Sequence, residues 1–261
     1  MSTNSYLQLG TVEALVVRKP IKNLHLSVLP PNGWVRISAP ERMKDDAIRT
    51  LIALRLPWIK KQQARFAGQE RQTRREYISG ENCYFLGKRY RLEVVCKDDV
   101  PGVFLKGKNK IVLQVRPRSS VIKRQEVMFE WYRCELRKVI KNMMPKWQKN
   151  IGVQPNVLAI KRMRTRWGTC NTDNKKITLN LELIKKPINH IEYILVHELL
   201  HLVERRHNKI FYSMMNEYIP KWKSIRQELN KSILPYEEWG FITNKQKNIF
   251  GQEPCSDLRS V

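Results

Sequence analysis

The sequence predicts an α+β protein. A β-rich N-terminal region with one helix spans residues 1–120, a helix-bearing core spans 121–235, and a polar tail spans 236–261. Three observations predict this. Short apolar runs with turn residues between them fill the first part. A long stretch with apolar residues spaced by three and four opens the second. An almost wholly apolar helical segment with histidines in it, "VHELLHLVERRH" at 196–207, follows.

The elements follow in order. "VEALVV" (12–17), "LHLSVL" (24–29) and "WVRISA" (34–39) are strand-like, separated by Pro20 and by Pro30-Pro31-Asn32-Gly33. A helix starts near Lys44. Asp45 and Asp46 suit the positive end of its dipole, and Ile48, Leu51, Ile52, Leu56 and Ile59 keep helical spacing. Pro57 is expected to kink or break it. A basic connection, "RQTRREYISGEN" (71–82), leads to strand segments 83–96, with Gly87 at a turn or bulge, and 110–115. After "RPRSS" a long amphipathic helix follows. Phe129, Tyr132, Leu136, Ile140, Met143 and Trp147 form its core stripe, and Pro145 is expected to bend its last turn. "KRMRTRWGTC" and "KITLNLEL" flank the turn residues 171–174 and read as a hairpin. No sequence repeat or coiled-coil heptad is visible.

Composition bounds the partners. Hydrophobic residues make up 42% of the 261, enough to build a core, so global disorder is excluded. The 49 basic against 24 acidic residues give a formal charge of +25, which attracts polyanions such as nucleic acid. No apolar run is long enough to span a bilayer, so no membrane partner is expected. The polar N-terminus lacks the basic-then-apolar pattern of a secretory signal. Five scattered cysteines, none in a C-x-x-C pair, argue against a disulfide framework or a cysteine-based zinc site. The expected compartment is the reducing cytoplasm.

The chemistry sits on one helix. Pro187 precedes it, Asn189 reads as N-cap, Glu192 completes a capping box, and Ile188 and Tyr193 could staple the cap. From Ile191 to Val203 the segment is apolar nearly all round, so burying His197, Glu198 and His201 costs free energy unless something satisfies them. A metal ion does that. Residues four apart on a helix differ by about 40° in direction and about 6 Å along the axis, so His197 and His201 can point at one ion. Glu198 lies about 100° further round, where it can reach a water on that ion. This is the H-E-x-x-H pattern of zinc hydrolases. His207 is the third candidate ligand, with Glu204 or Glu217 as substitutes. It needs the chain to turn after Val203, and Glu204 stands where related motifs place a glycine. His25 and His190 read as ordinary histidines satisfied by their surroundings.

"RTRWGTC", "ITLNLEL", "IEYILVHELLHL", then His207, Phe211 and "YIPKW" occur in one order, after "KNLHLSVLPPNGWVRISAP", "LPWIKKQ" and "YISGENCYFLGKRYRLEV". Over about residues 10–235 this resembles the YgjP-like family of bacterial zinc metallopeptidases, minimal zincins related to SprT-like proteases. The resemblance implies a zincin-like core over 121–235, Zn²⁺ held by His197, His201 and His207, and Glu198 as catalytic base. It implies a protein or peptide substrate. Tyr212, Tyr218, Asn180 and Arg166 are candidates to stabilise the oxyanion, and strand "KITLNLEL" is a candidate to pair with an extended substrate. Arg162, Arg164 and Arg166 form either a basic rim or a solvated strand face. The alternative reading is a nucleic-acid-associated protein, such as a protease of DNA-bound proteins. A third is a structural zinc domain, which would have no use for Glu198.

Overall fold

The computed structural model describes residues 4–29, 33–67, 75–163 and 166–231. The expected tail, 236–261, lies outside them, as do Arg164 and residues 71–74 of the basic connection. The fold is mixed α+β. Its contacts divide the chain between Thr73 and Arg74, not at 120/121. The strands after residue 82 share one core with the later helices, so the expected boundary falls inside the second unit.

In the first unit β1 (Asn4–Leu9), β2 (Val12–Lys19), β3 (His25–Leu29) and β4 (Trp34–Pro40) form a sheet ordered β1-β2-β4-β3. β2 and β4 run parallel, and both outer pairs are antiparallel. Alternate residues Val12, Ala14 and Val16 of β2 and Val35, Ile37 and Ala39 of β4 face one core, as a pleat of period two demands. Against them pack Ile48, Ile52 and Ile59 of α1 (Asp45–Ala67). Pro57 does not end this helix, which runs ten residues beyond it to Ala67.

The second unit opens with the same arrangement. β5 (Asn82–Phe85), β6 (Lys88–Cys96), β7 (Gly102–Lys106) and β8 (Lys110–Val115) are ordered β5-β6-β8-β7, again with a parallel middle pair. Leu86 and Gly87 both take positive φ in the two-residue turn between β5 and β6. α2 (Val121–Ile151) follows. Its N-cap is Ser120, whose hydroxyl accepts from the Lys123 amide, and Gly152 closes it in the left-handed conformation. Met128, Tyr132, Leu136, Ile140 and Trp147 are its buried stripe.

The remaining elements hold the motif. β9 (Val157–Lys161), β10 (Gly168–Asn171) and β11 (Lys176–Asn180) form a three-stranded sheet ordered β10-β11-β9. The expected hairpin is present as β10 and β11, but its first strand starts only at Gly168. A 3-10 turn, Leu181–Lys185, leads into α3 (Ile188–Leu200), followed by α4 (Lys209–Tyr218) and α5 (Trp222–Lys231).

Candidate metal centre

α3 is buried because its sequence is: Ile191, Leu195, Val196, Leu199 and Leu200 are fully buried. Its cap differs from the expected one. Pro187 holds the N-cap position and makes no side-chain cap bond. With Pro187 as N-cap the helix starts two residues earlier than an Asn189 cap would allow, and proline's fixed φ suits that place. Asn189 instead meets His190 Nδ1 through its Oδ1 at 3.1 Å. Glu192 Oε1 accepts from Trp147 Nε1 at 3.0 Å and from Lys146 Nζ at 3.1 Å. The glutamate expected to complete a capping box thus pins α3 to α2. His190 Nε2 lies 3.1 Å from Glu228, a satisfied histidine as expected, whereas His25 is exposed.

His197 and Glu198 sit in the last turn of α3, and His201 is its C-cap. The amides of Leu202, Val203 and Glu204 fold back onto the Leu199 and Leu200 carbonyls, which turns the chain at once. Glu204 is not among the described residues with positive φ, so this turn needs no glycine. Its carbonyl faces His201 Nδ1 at 3.2 Å. That contact puts the ring proton on Nδ1 and leaves Nε2 as a lone-pair donor. The Glu204 carboxylate accepts from the Arg206 amide, away from ligand duty. His207 then returns to the helix: its Nε2 lies 3.1 Å from His197 Nε2.

Ligand atoms of His197, His201 and His207 all lie within 4.8 Å of one another, and neither Glu204 nor Glu217 joins that group. Tetrahedral zinc with Zn–N bonds of about 2.0–2.1 Å needs nitrogens about 3.3 Å apart, so the three rings fit such an ion. Phe211, fully buried, contacts all three imidazoles with centroid distances of 4.8 to 5.0 Å. It is placed by α4, whose N-cap Asn208 accepts from the Phe211 amide. Burial, then the neighbouring histidines, push His197 down to about 3, so its ring is a neutral ligand at ordinary pH. Burial also lowers His201.

Glu198 is 5% exposed. Burial raises its carboxyl to about 8, partly opposed by Arg166. A cavity of about 360 Å³ opens beside it, lined by Arg166, His197, His207, Tyr212, Trp222 and Arg226 among others. Of the four expected oxyanion groups, two leave the site. Asn180 is fully buried and donates both amide hydrogens to the Met163 and Arg166 carbonyls. Tyr218 donates to the Asn150 carbonyl. Tyr212 and Arg166 line the cavity. Arg162 does not join Arg166 on a rim; its guanidinium lies over the Phe129 ring at 4.3 Å. Tyr193, Trp222 and Arg226 also line the cavity and had no motif to announce them.

Among curated proteins none matched the chain. Solved structures that resemble part of it include two metallopeptidase zymogens. The metallopeptidase zymogen abylysin of Pyrococcus abyssi is 21% identical over 34% of this chain and 90% of its own, with a TM-score of 0.33. The zymogen jannalysin of Methanocaldococcus jannaschii is 16% identical over 38% of this chain and 90% of its own, with a TM-score of 0.31. Likeness at that level bears on neither mechanism nor substrate. The model of the YgjP-like metallopeptidase domain, by contrast, matches residues 22–232, most of the chain. This protein therefore belongs to the YgjP-like metallopeptidases and is a peptide-bond hydrolase.

Proposed function

We propose that His197, His201 and His207 hold one zinc ion and that Glu198 is the general base of peptide hydrolysis. The observation that carries this is the convergence of three histidine ring nitrogens beside a buried carboxylate. Zinc on three protein ligands supplies a Lewis acid and a water of lowered pKa. Glu198 takes the proton of the attacking water, and its desolvated carboxylate is the stronger base for being buried. It then returns that proton to the leaving amine. Of the expected donors, Tyr212 and Arg166 line the cavity and are available to the oxyanion.

The seat for an extended substrate is β10, not "KITLNLEL" of β11. β11 is paired on both sides, by β10 and by β9, so its backbone groups are taken. Among the described residues no strand pairs with the other edge of β10, and α3 packs beside it. A peptide adding there would run next to Glu198.

The test is new termini in a peptide mixture, read by mass spectrometry, with zinc-loaded wild type and Glu198→Gln. Cleavage by wild type and none by the variant, at equal zinc content, is expected. Equal cleavage by both refutes Glu198 as base, and a purely structural zinc site would give none with either.

A second reading, nucleic-acid association, rests on the +25 charge. Binding to DNA that weakens steeply with salt supports it, and no binding at low salt removes it. No helix among the described residues is long and apolar enough to cross a membrane.

A further inference from the structure

Gly168 opens β10 and pairs with Leu179 of β11. Its φ is not in the left-handed region, so its backbone does not require glycine. Space does. A Cβ built on Gly168 would lie 2.5 Å from Oε1, 2.7 Å from Cγ and 2.8 Å from Cδ of Glu198. All three are closer than real Cβ contacts come, and all three belong to one side chain. The other described glycines meet nothing, an arginine tip, Gln63 or Pro187. Gly168 alone among them lies on a group of the candidate site.

The approach is held from behind. Fully buried Asn180, at the end of β11, gathers the segment that leads into Gly168. Its Nδ2 donates to the Met163 and Arg166 carbonyls, both at 2.8 Å. Its backbone amide donates to the Trp167 carbonyl at 2.9 Å. Its Oδ1 accepts from the Met163 amide at 3.3 Å and the Glu182 amide at 3.2 Å. Four bonds between one residue and the 163–167 segment leave β10 little freedom to retreat from α3.

We propose that Gly168 is a positioning residue. The absence of a side chain there lets the Glu198 carboxylate lie flat against β10, and the Asn180 clamp keeps the strand pressed on it. A methyl at 168 would push the carboxylate, since it ends a flexible side chain while both backbones are fixed. The base would leave its place while fold and histidines stayed. This rests on Glu198 being the base, but the geometry can be tested without that.

The experiment is a crystal structure of Gly168→Ala beside wild type, with zinc content and kinetics of both. The expected result is a Glu198 carboxylate displaced from β10, with α3, β10 and the three histidines unmoved. Zinc content and KM should hold while kcat falls at least about tenfold, since misplacing a general base forfeits part of a 10²–10⁴-fold contribution. A carboxylate that stays in place while strand and helix part overturns the proposal. A displaced carboxylate with undiminished kcat upholds the positioning and overturns the role of Glu198. If Gly168→Ala does not fold, Gly168→Ala with Glu198→Ala should fold, because the steric conflict is gone. Failure of both overturns the proposal.

Discussion

Residues 4–67 and 82–151 are two versions of one design. Each is a four-stranded sheet with a parallel middle pair and antiparallel outer pairs, in the order 1-2-4-3, followed by a helix. They differ in what the helix and the first turn carry. α1 buries Ile48, Ile52 and Ile59 against its own sheet. α2 also receives Glu192 of α3 on Trp147, and packs against the 3-10 turn. The turn at Gly10 has open space around it, whereas the Leu86 amide donates to the Ile184 carbonyl and Gly87 presses on Pro187. The design is therefore not the function. The candidate metal site lies with the copy whose helix and turn hold up α3.

The largest effect that would break this contrast is on turnover. Glu198→Gln should lower kcat about 10²–10⁴-fold with zinc retained, as loss of a general base does. No substitution in residues 4–67 should approach that in a peptide-cleavage assay. Equivalent core deletions sharpen the contrast. Leu136→Ala in α2 and Ile52→Ala in α1 each remove a fully buried side chain, at a cost of about 2–5 kcal/mol by denaturant melt. Only Leu136→Ala should also weaken zinc retention; equal zinc loss from both would mean the two copies do not divide the labour.

A pH effect comes next. In metal-free protein the folded Glu198 carboxyl, at about 8, stands above its ordinary 4.5. The folded state binds that proton more tightly, so Glu198's contribution is most favourable below 4.5 and is lost as pH rises to about 8. The stability difference, Glu198→Gln minus wild type, should grow across that window, by at most about 1.4 kcal/mol per pH unit. A difference flat in pH would show that the carboxyl is not desolvated. The smallest contrast is between turns. Gly10→Ala and Gly87→Ala both strain a positive φ, at about 1 kcal/mol, but only Gly87→Ala also drives a methyl into Pro187. Equal melting temperatures for the two would argue against the docked turn.

Local patterns were legible and pairings were not. The α2 stripe from Tyr132 to Trp147 and the H-E-x-x-H stretch are readable because helical neighbours are close in sequence. The duplicated sheet is invisible there: its middle pairs, β2 with β4 and β6 with β8, skip a strand, and the two copies share topology rather than residues. The sequence pattern does not announce β1, β7 or β9. β7 and β9 are short and largely unburied, so they lack the clean alternation that marks a half-buried strand. At the site, His197, Glu198 and His201 were legible from spacing, and the return of His207 from the need for a third ligand. The Asn189 cap failed because Pro187 already starts the helix and Glu192 is drawn to Trp147 across 45 residues. Gly168 carried no signal of its role, since a close approach between a strand and a helix side chain exists only once both have folded.

The most direct test is the metal content of the purified full-length protein beside His201→Ala, by mass spectrometry. Stoichiometric zinc in the wild type, lost in the variant while the fold remains, is the predicted result. No metal in either, and none taken up on adding zinc, would contradict a metal centre at His197, His201 and His207.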